Sequence, residues 1–402
     1  MQDLSSSQRW VLAASSIVLG FTGLLWIGST WFTDPVVRAI YAGDMLPYFG
    51  RLLRIHAANN PAHGGVGYYI DLMQGASQRV FVLAVVFYGI VVTATWKRPS
   101  LIRDYFAEEG SALSLAVFRG VVFWHLFAAI DVGVIVGQAQ QMDALRVAPP
   151  LMEWFFLHVS LDAEWVWWAA RVMQATCILA LIGLFSRSAA WVAGLLGIYV
   201  LGIPELGGKI NHGNHLLVWF ALLLGASRSG DALSVDVFVR AWRNSEPSAS
   251  LRPAPSPTYG QPLRWAWLLI GLIYFFPGLW KFVLGGWDWM FTESLKFKMY
   301  AKWQQIQYLP VLRIDRFPTL YQGLAVGTVI FELFFIVALF FQRFRRYAVF
   351  GGLAFHGGVA YFMRIFFSNL MACYVVFIPW GKVTRQLGDW LYLTPLVVRY
   401  DG

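Results

Sequence analysis

The residues best suited to chemistry in this sequence are Lys281, His215 and His356, which all lie within or at the edge of strongly apolar stretches. Apolar surroundings disfavour the charged form of a lysine, which can then act as a general base near neutral pH. Histidines beside it can orient a substrate, donate a hydrogen bond to a developing anion, or relay protons. We therefore predict that these three residues are catalytic and carry out a proton transfer.

Neighbours of these residues are expected to hold a cofactor: His212, Asn214, Trp280 and Phe355. His212 and His215 are three residues apart and could chelate a metal ion. No carboxylate is evident alongside them, and a metal site needs three or four ligands. We predict no metal.

Other ionisable residues in apolar stretches have structural interpretations. Arg119 either extends to the lipid headgroups or joins the site, and the sequence favours neither. Glu332 is expected to bond a neighbouring helix or to pair with Arg171. His125 and Asp131 are six residues apart, which does not place them on one helical face.

The elements that position these residues follow from composition. Of 402 residues, 58% are apolar, 17% aromatic and only 13% charged, which excludes both a soluble globule and a disordered chain. The sequence predicts an all-α, polytopic helical integral membrane protein. The net charge of +9 fits basic loops at a membrane surface, so no nucleic-acid partner is expected. The two cysteines, both in apolar stretches, argue against a disulfide framework.

About ten spans are predicted, some of them short or broken, and three further stretches resemble interfacial helices. The spans are 10–32, 79–96, 115–138, 165–185, 189–203, 214–226, 263–284, 320–341, 347–366 and 369–380. The interfacial stretches are 35–78, 141–163 and 287–317. A Ser-, Pro- and Arg-rich linker occupies 243–262.

Lysine and arginine in the short loops favour a cytoplasmic N-terminus and C-terminus, in a cell (inner or plasma) membrane. In that orientation the outer end of span 214–226 carries Asn214 and His215. Lys281 lies near the outer end of its span, and His356 near the middle of its own. The predicted site therefore lies in the outer half of the bilayer.

The order of short motifs resembles the HTTM (horizontally transferred transmembrane) superfamily, and specifically the membrane domain of vitamin K-dependent γ-carboxylases. The motifs are Phe118-Arg119-Gly120, Asn211-His212-Gly213-Asn214-His215, Ser234-Val235-Asp236, Tyr274-Phe275-Phe276-Pro277-Gly278-Leu279-Trp280-Lys281 followed by Trp287-Asp288-Trp289, and Phe355-His356. The resemblance implies an HTTM-like domain at 113–380, preceded by a two-span extension at 1–112 that includes an interfacial helix. A cytoplasmic tail at 381–402 follows it.

The resemblance also implies an activity and roles. Lys281 would deprotonate a lipid hydroquinone of vitamin K or menaquinol type, His215 would assist, and His356 would hydrogen-bond the quinone. O2 and CO2 would be co-substrates, and oxygenation would be coupled to carboxylation of a peptide or small-molecule substrate. The sequence departs from the family pattern in two ways. Trp280 replaces a second lysine, and no counterpart of the family's lumenal domain is present, which puts peptide carboxylation in question.

Two other functions remain open on the sequence. One is a non-catalytic quinone- or lipid-binding membrane protein, or a partner subunit, in which aromatic spans form the pocket. The other is a transporter, which the Gly-Pro positions near residues 202–204 and 277–278 keep in consideration. A homo-oligomer is compatible with each of these functions.

Overall fold

The computed structural model describes residues 6–60, 65–142, 145–146, 153–207, 212–244 and 253–390. Within these ranges the regular elements are helices and no strand is present, which confirms the predicted all-α class. The helices are α1 (Ser6–Ala42), α2 (Pro47–Asn59), α3 (Val66–Lys97), α4 (Leu101–Ala107), α5 (Ala112–Ala128), α6 (Val132–Ala139), α7 (Glu153–His158), α8 (Ala163–Ile182), α9 (Ser186–Val200), α10 (His212–Ala226), α11 (Val235–Asn244), α12 (Pro257–Val283), α13 (Gly286–Phe291), α14 (Ser294–Ile306), α15 (Pro318–Phe340), α16 (Gln342–Met363), α17 (Ser368–Cys373) and α18 (Trp380–Trp390).

Six helical segments in the described chain are long and apolar enough to cross a membrane, and the number is seven if α5 and α6 form one broken span. The protein is thus a membrane protein by helix length and composition, but the predicted count of about ten spans is not confirmed. Two of the predicted spans, 214–226 and 369–380, form only short apolar helices. The 15 residues of α10 extend about 22 Å, less than the hydrocarbon core of a bilayer.

The stretch 115–138, predicted as one straight span, is bent by 54° between α5 and α6. Asp131 causes the break, because its carboxylate accepts a hydrogen bond from the Val134 amide at 3.0 Å and caps α6. Aspartate is a strong N-cap residue, so it starts a new helix rather than continuing the old one.

The chain packs as two units, and the first comprises Met1–Ile102 and Ile273–Phe340. In this unit α1 packs along α3, where the Trp26 ring stacks on Phe81 with a centroid separation of 5.0 Å. A second core joins α3 to α12, α13 and α15. Its buried members are Leu83, Phe282, Met290, Val329 and Leu333. This core surrounds the part of α12 that carries Lys281.

The second unit comprises Arg103–Leu272 and Phe341–Gly402, with α5, α8, α9 and α10 at its centre. Glycines allow α9 and α10 to pack closely. A Cβ on Gly194 would lie 2.7 Å from the Leu222 side chain, and one on Gly197 would lie 2.9 Å from the Val218 side chain. Small residues are typical of tight helix pairs in membranes, where close van der Waals contact drives association. This packing fixes α10, whose first turn carries His212, Asn214 and His215.

Candidate functional site

A chain of hydrogen-bonded polar side chains lies at the start of α10 in the second unit. The Asn369 amide nitrogen, on α17, donates to the Asn214 side-chain oxygen and to the Gly213 carbonyl, both at 3.4 Å. The Asn369 side-chain oxygen lies 3.1 Å from His125 Nδ1, on the last turn of α5. Three separate helices, α5, α10 and α17, therefore bring amide and imidazole groups within hydrogen-bond distance of one another.

His215, the residue after Asn214, makes a separate contact with a carboxylate. Its Nε2 lies 2.6 Å from Glu205 Oε1, on the short 3₁₀ helix Ile203–Leu206. The Glu205 side chain is 5% exposed, whereas that of His215 is 45% exposed. A buried carboxylate behind a half-exposed imidazole fixes the orientation of the ring, as in acid–base dyads. The ring of His212 stands perpendicular to that of His215 at 5.9 Å. We call Glu205, His215, Asn214, Asn369 and His125 the polar cluster.

The expectation that no carboxylate lies beside His212 and His215 is wrong, because Glu205 occupies that place. The sequence held a signal for it. Glu205 is an acidic residue in an apolar stretch, directly after the Gly202-Ile203-Pro204 turn that ends a helix. That turn brings the chain back towards α10, so a residue ten positions before His215 reaches its ring.

His356 lies in the same unit as the polar cluster. It is buried on α16, and its ring packs against Phe367 at 4.7 Å and against Phe355 at 5.1 Å. Phe367 immediately precedes α17, which carries Asn369. His356 thus packs on the segment that supplies the central amide of the polar cluster.

Lys281 belongs to the first unit, and its described contacts are with residues of that unit. The ammonium donates to both carboxylate oxygens of Glu332 on α15, each at 2.6 Å, and lies 5.4 Å from the Trp289 ring centroid. Gly278, one turn before Lys281, makes the contact between α12 and α15 possible. A Cβ there would lie 2.7 Å from the Glu332 Cβ.

Glu332 therefore bonds a neighbouring helix, as one expectation had it, but its partner is Lys281 and not Arg171. Arg171 instead donates to Gln174 at 3.0 Å and lies 5.2 Å from the Trp167 ring. Of the three predicted catalytic residues, the second unit contains His215 and His356, while Lys281 forms an ion pair within the first.

Of the other predicted cofactor contacts, Trp280 is exposed, Phe355 packs on His356, and His212 lies exposed at the start of α10. Asn211, part of the Asn-His motif, lies outside the described residues. Asn214 is the member of the predicted set that takes part in the hydrogen-bonded chain.

Two motifs named for the resemblance have structural roles in the second unit. Arg119 is buried inside the second unit and does not contact Lys281, His215 or His356 in any described hydrogen bond. It is 1% exposed, and its guanidinium donates to the carbonyls of Ser229, Ala232 and Leu233. Membrane-depth arginines are typically paired with such acceptors. Through these hydrogen bonds Arg119 stabilises the turn that leads into the Ser-Val-Asp motif.

Asp236, the last residue of that motif, caps α9. Its carboxylate accepts from the Phe185 and Ser186 amides, each at 2.8 Å, and from the Ser186 hydroxyl at 2.7 Å. Burial alone would raise the pKa of Asp236. The hydrogen bonds from Ser186 and Phe185, together with the positive charge of Arg119, outweigh it and hold that pKa below its usual range.

Compared with known protein families, curated proteins and solved structures, the chain matches none. The likeness to γ-carboxylases therefore rests on the motifs alone and stays a prediction. The site itself offers imidazole, amide and carboxylate groups, which can donate hydrogen bonds to, or accept them from, a ligand with hydroxyl or carbonyl groups.

Proposed function

We propose that this protein is an integral membrane enzyme that binds a lipid-soluble hydroquinone at the polar cluster and removes its hydroxyl proton. The observation that carries the proposal is the 2.6 Å contact between buried Glu205 and half-exposed His215, beside the hydrogen-bonded chain through Asn369. A hydroquinone hydroxyl needs an acceptor, and the quinone carbonyl that replaces it needs a donor. Imidazole and amide groups supply both.

In this proposal His215 accepts the proton, and Glu205 holds the ring in position and stabilises the imidazolium that forms. Asn214 and Asn369 orient the ligand by hydrogen bonds, with His125 fixing the Asn369 amide. Loss of two electrons and two protons converts the hydroquinone to the quinone, and the co-substrate O2 takes up both to become H2O2. The apolar surroundings of His356 and Phe367 keep water from the ring face of the ligand.

The role of Lys281 as the base stays a prediction. Both oxygens of Glu332 hold its ammonium, so loss of a proton from Lys281 would first require this ion pair to be broken or neutralised. We therefore assign the removal of the first hydroquinone proton to His215. Carboxylation of a further substrate with CO2, a menaquinol or vitamin K type of quinone, and a site in the outer half of the bilayer remain parts of the proposal.

The same ion pair favours a second candidate, a non-catalytic quinone- or lipid-binding protein. If the Lys281–Glu332 ion pair is only structural and His215 binds the ligand without accepting its proton, the protein would bind hydroquinone without turnover.

The test is binding of menaquinol to the full-length protein in lipid nanodiscs, with menaquinone formation or epoxidation followed in the same samples. We expect wild-type protein to bind menaquinol. Asn369→Leu should weaken binding about tenfold, because a lost hydrogen bond in an apolar site is worth about 1.4 kcal/mol. Gln174→Leu, which removes an amide elsewhere in the unit, is the matched control and should change binding less than twofold. Equal binding by wild type and Asn369→Leu would contradict the site, and binding without any turnover would favour the second candidate.

A further inference from the structure

A second feature of the second unit is a cavity of about 470 Å³ at the end where α8 and α9 meet. Its lining is Ser186, Arg187, Arg228, Gly230, Asp231, Asp236 and Arg240. The segments that contain α8 and α9 are long and apolar enough to be membrane spans, and only residues 183–185 join these helices. The cavity therefore lies at the level where two spans end, which is that of lipid headgroups.

The cavity is positive, and its carboxylates already have partners. Three arginines face two aspartates. Asp236 accepts the three hydrogen bonds that cap α9. Asp231 accepts from Arg228 Nε at 2.8 Å and from the Tyr259 hydroxyl at 2.9 Å. With both carboxylates satisfied, the remaining guanidinium N–H groups favour an anion that offers several oxygens.

Arg187 and Arg240 are the arginines best able to bind such an anion. Arg187 is exposed, and its Nε makes one long contact of 3.5 Å with the Gly225 carbonyl. Arg240 is more than half exposed, and its nearest nitrogen lies 3.9 Å from Asp231. Guanidinium groups bind phosphate oxygens through paired hydrogen bonds, which makes phosphate the anion that fits.

The helix that carries Arg240 indicates that the phosphate belongs to a lipid and not to a free ion. On α11, Phe238 is 71% and Trp242 77% exposed. These residues are four apart and so lie on one face, whereas Arg240 lies between them in sequence and lines the cavity. A short helix with large aromatics on one face and arginine on the other is typical of the membrane interface, where aromatics enter the acyl boundary.

We propose that the arginine cavity and α11 together bind an anionic phospholipid, with the phosphate between Arg187 and Arg240 and the acyl chains against Phe238 and Trp242. This site is separate from the polar cluster and does not depend on hydroquinone chemistry. Positive charge at this level matches the anionic surface of a cytoplasmic leaflet.

The experiment is native mass spectrometry of the full-length protein released from nanodiscs that contain equal amounts of phosphatidylglycerol and phosphatidylcholine. Wild-type protein should retain about ten times as much phosphatidylglycerol as phosphatidylcholine. Arg187→Gln/Arg240→Gln should lose about tenfold of that retention, and with it the whole preference, because these two guanidinium groups together supply the attraction for the anionic headgroup. Arg243→Gln removes the same charge from α11 at a position that does not line the cavity, and should change retention less than twofold.

Two further arms identify the source of the phosphate. Phe238→Ser/Trp242→Ser should also lose phosphatidylglycerol, and inorganic phosphate or glycerophosphoglycerol at millimolar concentration should fail to displace it. Equal retention of both lipids by wild-type protein would overturn the proposal, and so would full retention by Arg187→Gln/Arg240→Gln. Displacement by inorganic phosphate would show a free-phosphate site instead. If the double variant does not fold, wild-type retention must fall between about 50 and about 500 mM NaCl, and salt-independent retention would contradict the proposal.

Discussion

The ion pair between Lys281 and Glu332 predicts a large and specific stability coupling between α12 and α15. The Glu332 side chain is 5% exposed, and that of Lys281 is 23% exposed. Removal of one partner from a buried pair costs about 3–5 kcal/mol, because a charge stays buried without compensation. The partial exposure of Lys281 places the expected cost of Glu332→Gln at the lower end, about 3 kcal/mol.

A double-mutant cycle in mixed micelles measures this coupling. The free energy of unfolding is obtained from SDS titration of wild type, Lys281→Met, Glu332→Gln and the double variant. We expect each single variant to lose about 2–4 kcal/mol and the double variant to lose less than the sum, with a coupling energy of about 2 kcal/mol. Lys298→Met, at an exposed lysine on α14 in the same unit, is the control and should change stability by less than about 0.5 kcal/mol. A coupling energy below about 0.5 kcal/mol would refute the reasoning, because the two groups would then act independently.

Two further predictions concern the buried charged residues Arg119 and Asp315. Arg119→Met should lower the free energy of unfolding by about 3–5 kcal/mol in the same SDS titration, because three carbonyls lose their hydrogen-bond donor. Arg119→Lys should recover only part of this lost stability, since an ammonium lacks the forked geometry of the guanidinium. If Arg119→Met is as stable as wild type, Arg119 does not stabilise the turn before the Ser-Val-Asp motif. Asp315 lies outside the spans, and the bidentate hydrogen bonds from Arg313, aided by one from Tyr300, outweigh burial and lower its pKa from 3.8 to about 2. A depressed folded-state pKa stabilises the fold above the unfolded value, so this contribution is present above about pH 4 and lost as the pH falls towards 2. Thermal unfolding in detergent should show a smaller loss of Tm over that window for Asp315→Asn than for wild type, and parallel curves would contradict it.

The membrane class and the all-helical fold could be predicted from composition, because a chain with this ratio of apolar to charged residues has no way to cover its surface with polar groups. The number of spans could not. Apolar stretches such as 214–226 and 369–380 look like spans in sequence, but they form short helices whose burial comes from neighbouring helices. Hydropathy does not distinguish burial in protein from burial in lipid.

Partners of buried polar groups were the least predictable feature. The hydrogen bonds of Asn369 to His125 and to Asn214 join residues far apart in sequence, and nothing in local spacing indicates them. Glu205 was missed for a related reason. Its pairing with His215 joins the short 3₁₀ helix Ile203–Leu206 to α10 and does not follow helical periodicity. The Gly278 contact with Glu332 shows the same limit, since a glycine in an apolar stretch gives no sign of which helix approaches it.

The central claim is that His215, oriented by Glu205, deprotonates a lipid hydroquinone, and O2-dependent oxidation of menaquinol by the purified full-length protein in nanodiscs tests it most directly. Wild-type protein should oxidise menaquinol. His215→Ala should lose at least about 100-fold in rate, the usual contribution of a positioned general base, while the folded Lys281→Met/Glu332→Gln variant should stay within about tenfold. His158→Ala, an exposed histidine bonded to the Trp154 carbonyl, is the matched control and should retain full rate. No oxidation by wild type with any quinone tried, or equal rates for wild type and His215→Ala, would contradict the account.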